Sequence, residues 1–183
     1  IDVDRDDQEV ERWFLAATLF GHRISARTVV RTYAALGRTG IRVIADVAGS
    51  SWEALVEGLD EGGYVRYDFG TATRLQVLAA AVDERFGGRI AGLGRLTDDP
   101  AELEATLDAL PGWGPTTVRV FLRELRGRWP AARPPLDPRA RWAAGHLGLP
   151  VPSDAADVRA RASLEAMAAD AGLDVRDAEA ALI

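Results

Sequence analysis

An all-helical fold is what this sequence predicts, and three observations carry the prediction. Apolar residues recur at three- and four-residue spacings nearly throughout, as in Trp13, Phe14, Ala17 and Phe20 and then Val29, Val30, Tyr33 and Leu36. No segment alternates apolar and polar residues as a half-buried strand would. Start and stop residues bracket the periodic stretches in the order helices require. Ser25 stands before one helix and Gly37 after it. Ser50, with Glu53 three residues on, reads as a capping box opening the next. Thr71 starts a helix that runs to about Phe86 and closes at Gly87 and Gly88, which leaves Tyr64, Tyr67, Asp68 and Phe69 as an aromatic cluster in a loop. Asp99 with Pro100 at the first helical position begins another, stopped by Pro111 and Gly112. Pro115 opens the following helix, which ends at Gly127. Val118, Phe121, Leu122 and Leu125 form its apolar face, with Arg119, Arg123 and Arg126 on the other side. Trp129 to Pro138 holds four prolines and reads as an extended connection; Arg139 to Leu147 and Ser153 to about Ala171 are helical again. The expectation is one domain over residues 1–183, with a helical hairpin at 99–126 and two helices closing the domain in 153–183.

Composition narrows the chemistry. Of the 183 residues 48% are apolar, an ordinary value for a globular protein, and no apolar run approaches a membrane span. Residues 1–12 are acidic rather than a basic segment leading into an apolar one, so the expectation is a cytoplasmic protein. The absence of cysteine excludes disulfides, thiolate zinc sites, a cysteine nucleophile and a cysteine-ligated iron–sulfur cluster within this sequence. His22 and His146 are too far apart in sequence to form a metal-ligand pair on one helix. All 22 basic residues are arginine, and the net charge is -6. That balance argues against a polyanion partner, but the charge is segregated. Between Pro111 and Arg141 seven arginines face only Glu124 and Asp137, whereas acids crowd both ends of the chain. A basic face in this middle stretch is the expectation.

The most informative stretch is Leu110-Pro111-Gly112-Trp113-Gly114-Pro115-Thr116-Thr117. Two glycines one residue apart let backbone amides approach a ligand, and they precede a helix N-terminus, whose free N–H groups and dipole favour an anion. The same residues also suit a tight helix–helix turn, in which glycine caps one helix and proline starts the next. Trp113 is then a packing anchor between the two helices.

This stretch resembles the Leu-Pro-Gly-hydrophobic-Gly-x-x-Thr-Ala hairpin of the helix-hairpin-helix DNA glycosylases, the endonuclease III superfamily, with Thr117 at the threonine and Val118 in place of alanine. Downstream, Leu136-Asp137-Pro138-Arg139-Ala140 falls about two dozen residues later, where the family carries Val-Asp-Thr-His-Val. His146-Leu147-Gly148-Leu149 is similar to its Arg-Leu-Gly-Leu, and Trp142 replaces a residue that is often arginine there. Upstream, Leu19-Phe20-Gly21-His22-Arg23-Ile24-Ser25 resembles the Leu-Ser-x-Gln-x-Thr turn, with His22 at the glutamine that fills the gap left by an extruded base. The resemblance runs from about Arg12 to Leu149. It implies a two-lobed all-α domain that binds double-stranded DNA containing a damaged base and acts as a monomer in base excision repair.

What the resemblance implies for the chemistry is specific. A glycosylase flips the damaged nucleotide out of the stack and cleaves the N-glycosidic bond, building positive charge on the sugar. Asp137 would stabilise that charge and orient water; it is equally a good helix N-cap before Pro138. Bifunctional relatives use a lysine at the second x of Gly-x-x-Thr as a Schiff-base nucleophile. Here that residue is Thr116, and the 183 residues contain no lysine, so the implied enzyme is monofunctional and hydrolytic. Thr116 would hold a water, or else belongs to a protein that binds DNA or a repair partner without cleaving. Gly112, Trp113, Gly114, Thr117, Arg119 and Arg123, with His22 and Arg23 upstream, are the DNA-binding candidates. His22 reads equally as a polar turn residue. Tyr64, Tyr67 and Trp142 are the base-pocket candidates, with core packing the competing role for the tyrosines. No organic cofactor or metal is expected; the one ion the pattern allows is a monovalent cation at the hairpin.

Overall fold

The computed structural model describes residues 1–21, 24–152 and 157–183, and every regular element among them is a helix. The chain divides into two compact units, residues 1–132 and 133–183.

In the N-terminal unit, α1 (Asp7–Thr18) is capped by the Asp6 carboxylate, which accepts from Glu9 N–H, and it buries Val10, Phe14, Leu15 and Ala17. Around it pack α2 (Ala26–Arg38), the short α3 (Ile44–Ala48), α4 (Trp52–Gly62), α5 (Asp68–Phe86), α6 (Pro100–Asp108) and α7 (Pro115–Glu124). Ser25 caps α2 and Asp99 with Pro100 opens α6, both at the positions read from the sequence. The start of α4 is shifted by one residue. Ser51, not Ser50, accepts from the Ala54 N–H, because the Ser50 hydroxyl donates back to Asp46 O and closes α3, an element the periodicity did not reveal. The start of α5 moves further, from the expected Thr71 to Asp68, whose carboxylate accepts from the Phe69 N–H. Phe69 therefore sits in a helix rather than in a loop.

Two close approaches fix this unit. Where α2 meets α4, Gly58 and Gly62 lie one turn apart; a Cβ on Gly62 would fall 2.2 Å from Thr32 Cα, and one on Gly58 2.7 Å from Leu36 Cδ2. Where a 3-10 turn at Ala91–Arg95 passes Trp129, a Cβ on Gly94 would fall 2.3 Å from the indole. The core between is aromatic. Phe14 stacks on Trp113 with centroids 4.5 Å apart, Phe121 meets both rings edge-on, and Trp129 meets Phe121 in turn.

The C-terminal unit holds α8 (Pro138–His146), α9 (Asp157–Asp170) and α10 (Val175–Ala181). Leu136, Ala144, Val151, Ala160, Leu164 and Ala168 make its small core. Two helices do follow α8, and the expected helix start at Ser153 lies outside the described residues. No helix among the described residues is long and apolar enough to cross a membrane.

Candidate functional site

The turn between α6 and α7 is built to expose backbone. Gly112 has φ +78°, the left-handed conformation that a side chain disfavours, and it is exposed. The Trp113 N–H is spent on Leu110 O at 3.0 Å, while the first helical bond of α7 runs from Val118 N–H to Gly114 O. The Thr116 and Thr117 amides precede that bond and so have no partner within the helix. Gly114 is the N-cap and offers no side chain to them. An uncapped helix start behind a glycine turn suits an anion.

The turn is held rigidly from beneath. Trp113 is buried against Phe14, and its Nε1–H donates to Thr18 Oγ1 at 3.2 Å, so its side chain packs as an anchor and does not face solvent. Thr117 is also buried. A Cβ on Gly21 would lie 3.5 Å from its Oγ1 and 3.9 Å from Gly112 O, which brings the Leu19–Gly21 turn against the hairpin. His22 and Arg23, the next two residues and both site candidates, lie outside the described residues. Thr116 is exposed at the start of α7.

The basic face expected around α7 is smaller than the arginine count suggests. Arg119 is exposed. Arg123 is half-buried and paired with Glu124 at 3.0 Å. Arg126 was expected on the exposed side but is 5% exposed, because α7 ends at Glu124 and the chain turns before Arg126 can continue the helical spacing. Arg128 binds Asp7 and Asp4 O.

A residue that sequence reading missed stands beside the turn. Arg74, on α5, runs its stem past Gly112, with its Cδ 3.5 Å from where a Cβ there would lie, and its Nη2 donates to Thr71 Oγ1 at 2.9 Å. A pocket of about 130 Å³ opens between Thr18, Gly21, Thr71, Arg74, Pro111 and Gly112. The signal that could have found Arg74 is tertiary: 38 residues separate it from Gly112.

Of the base-pocket candidates, Tyr64 is a core residue, 1% exposed, whose hydroxyl donates to Leu19 O. Burial pushes its phenol up to about 12, against the pull of the Arg74 charge. Tyr67 is half-buried and meets Tyr64 edge-on. Trp142 belongs to the C-terminal unit; it is 67% exposed and stacks on His146 with centroids 4.5 Å apart.

Asp137 also lies in the C-terminal unit, as the N-cap of α8. Its Oδ1 accepts from the Arg139 N–H at 2.8 Å and Nε–H at 3.2 Å, its Oδ2 accepts from Arg139 Nη2 at 3.1 Å, and its own N–H donates to the buried Glu179. The capping role read from the sequence is therefore present. Among the described residues no three His, Asp or Glu side chains gather as a metal-ligand set. No family model, curated protein or solved structure matches the chain.

Proposed function

We propose that this chain is a monofunctional DNA glycosylase of the helix-hairpin-helix type, hydrolysing the N-glycosidic bond of a damaged base in double-stranded DNA as a step of base excision repair. The observation that carries the reading is the hairpin: an exposed left-handed glycine at 112, an uncapped α7 start with two amides free of helical bonds, and a buried tryptophan holding the turn in place. A DNA phosphate is an anion this arrangement suits, and contacts of this kind hold a duplex without reading its sequence. Asp137 would stabilise the sugar cation as it forms. Thr116, exposed at the position of the family lysine, would orient the attacking water, and a lysine imine is excluded because the sequence holds no lysine. The reading needs no organic cofactor; turn carbonyls, Gly112 O among them, would be the ligands of a monovalent cation. The protein would act as a monomer, in the cytoplasm.

One observation favours a second reading, in which the fold binds DNA or a repair partner without cleaving: both Asp137 oxygens are already engaged by Arg139. Base release from duplexes carrying alkylated, oxidised, deaminated or mismatched bases separates the two. The glycosylase reading expects release without strand cleavage from the wild type, lost in Asp137→Asn and weakened in Thr116→Ala. Asparagine caps helices as well as aspartate does, so loss in Asp137→Asn reports the charge rather than the fold. Duplex binding with no release from any substrate makes the non-catalytic reading the correct one.

A further inference from the structure

We propose that Glu179, on α10, is a positioning residue for Asp137: it fixes the peptide plane from which the Asp137 carboxylate is presented at the start of α8. This role rests on the catalytic part of the proposed function, and it gives α10 a share in the same site.

A carboxylate that stabilises a forming cation works best when it is already in place, so that no reorganisation accompanies the reaction. Three constraints hold Asp137, all within the C-terminal unit. Pro138 restricts the residue before it to the extended region, and Asp137 has ψ 131°. The Arg139 N–H, donating to Oδ1 at 2.8 Å, holds the side chain. What is left is rotation about φ, which swings the Asp137 N–H. That N–H donates to Glu179 Oε1 at 2.7 Å across 42 residues of sequence, and Glu179 is 1% exposed. Burying a carboxylate is costly unless it is hydrogen-bonded, so its placement here is specific. Capping alone does not ask for it. α10 opens with the same Asp-x-Arg cap, in which Asp174 accepts from the Arg176 N–H and guanidinium, yet Val175 follows Asp174 and no side chain among the described residues accepts from its amide. α6 opens on Asp99 before Pro100, and there the amide is taken by Thr97, two residues back. Of these three caps only Asp137 has its N–H held by a buried side chain from another helix. The Arg139 guanidinium that also meets the carboxylate is largely exposed, and such pairs hold weakly.

The experiment is single-turnover base release by the full chain, saturating and well below its melting range, from whichever of the alkylated, oxidised, deaminated and mismatched duplexes the wild type acts on fastest. Glu179→Ala is expected to lower the rate by about ten- to a hundredfold, as a small misplacement of a reacting group does, with duplex affinity unchanged. Glu179→Asp, one methylene short of the amide, carries the same expectation if Glu179→Ala does not fold. Glu179→Gln keeps an acceptor oxygen and is expected to stay within about threefold of wild type. Asp174→Ala weakens α10 at its cap without touching Glu179, and it lowers the melting temperature while leaving the rate unchanged. A wild-type rate in Glu179→Ala overturns the role of Glu179 while leaving the glycosylase reading in place. A loss in Glu179→Gln as large as in Glu179→Ala also overturns it, because the charge and not the bond is then what matters. Equal losses in Asp174→Ala and Glu179→Ala assign the effect to the stability of α10 and overturn it as well. Release of no base by the wild type from any duplex overturns the glycosylase reading and this role together.

Discussion

The crossing of α2 and α4 gives the sharpest test of the structure. Gly62→Ala places a methyl 2.2 Å from Thr32 Cα, more than 1 Å inside the separation at which carbon atoms ordinarily touch. The obstacle is backbone, so no rotamer change relieves it and α2 must retreat. Overpacking of this kind costs typically about 1–3 kcal/mol. We take the upper end here, and set against it the gain of at most about 1 kcal/mol from replacing glycine by alanine in a helix. The net loss of about 2 kcal/mol lowers the melting temperature by about 4–8 °C for a chain of this size. Gly58→Ala is the internal control. Its methyl meets Leu36 Cδ2, the end of a side chain rather than backbone, so the same propensity gain is opposed by little and melting changes by at most about 4 °C. Circular dichroism at 222 nm follows both, and because the chain has two units the N-terminal transition is the one to read. Gly62→Ala melting within 1 °C of wild type, or Gly58→Ala costing more than Gly62→Ala, refutes the packing argument.

Two further outcomes follow from local structure. Ser51→Ala removes the α4 cap and costs about 1 kcal/mol in chemical denaturation, more than Ser50→Ala, whose hydroxyl only closes α3; equal costs would contradict the shifted helix start. Burial raises the Glu11 carboxyl above its ordinary value even though its Oε1 accepts from the Ile90 and Ala91 amides. Because the folded state then holds that proton more tightly than the unfolded chain, Glu11 favours folding below its unfolded pKa, and this contribution is lost as pH rises through the raised folded value. Glu11→Gln is expected to flatten the stability profile across that window, and an unchanged profile in urea titrations at successive pH values would exclude Glu11 as the group responsible.

What the sequence made legible was the part set by neighbours along the chain. Ser25, Asp99 with Pro100, and Pro115 mark helix starts because capping is decided within four residues. The turn at 110–114 is readable for the same reason, since a left-handed position and a helix start both demand particular residues at fixed offsets. Ser50 and Ser51 are chemically identical neighbours, and the choice between them was made by α3, a five-residue helix too short to show a period. Arg126 was misplaced because the helical spacing was carried two residues past the real end of α7. Tyr64 shows a different limit. A tyrosine serves a core and a pocket equally well, and only its hydrogen bond to Leu19 O, 45 residues away, makes it a core residue. Arg74 lies beyond any local rule, because its place beside Gly112 comes from the turn that α5 happens to pass.

The aromatic stack under the turn has a thermodynamic consequence. A loop that is floppy when empty must lose conformational entropy each time it closes on a ligand, and its affinity falls accordingly. Here Trp113 fixes the middle of the turn to Phe14 and Thr18, so that ordering is completed when the polypeptide folds, before any ligand arrives. The turn is a rigid fitting on the core. On the proposed reading, substitutions along α1 that loosen Phe14 would register as weakened binding at a surface they never touch.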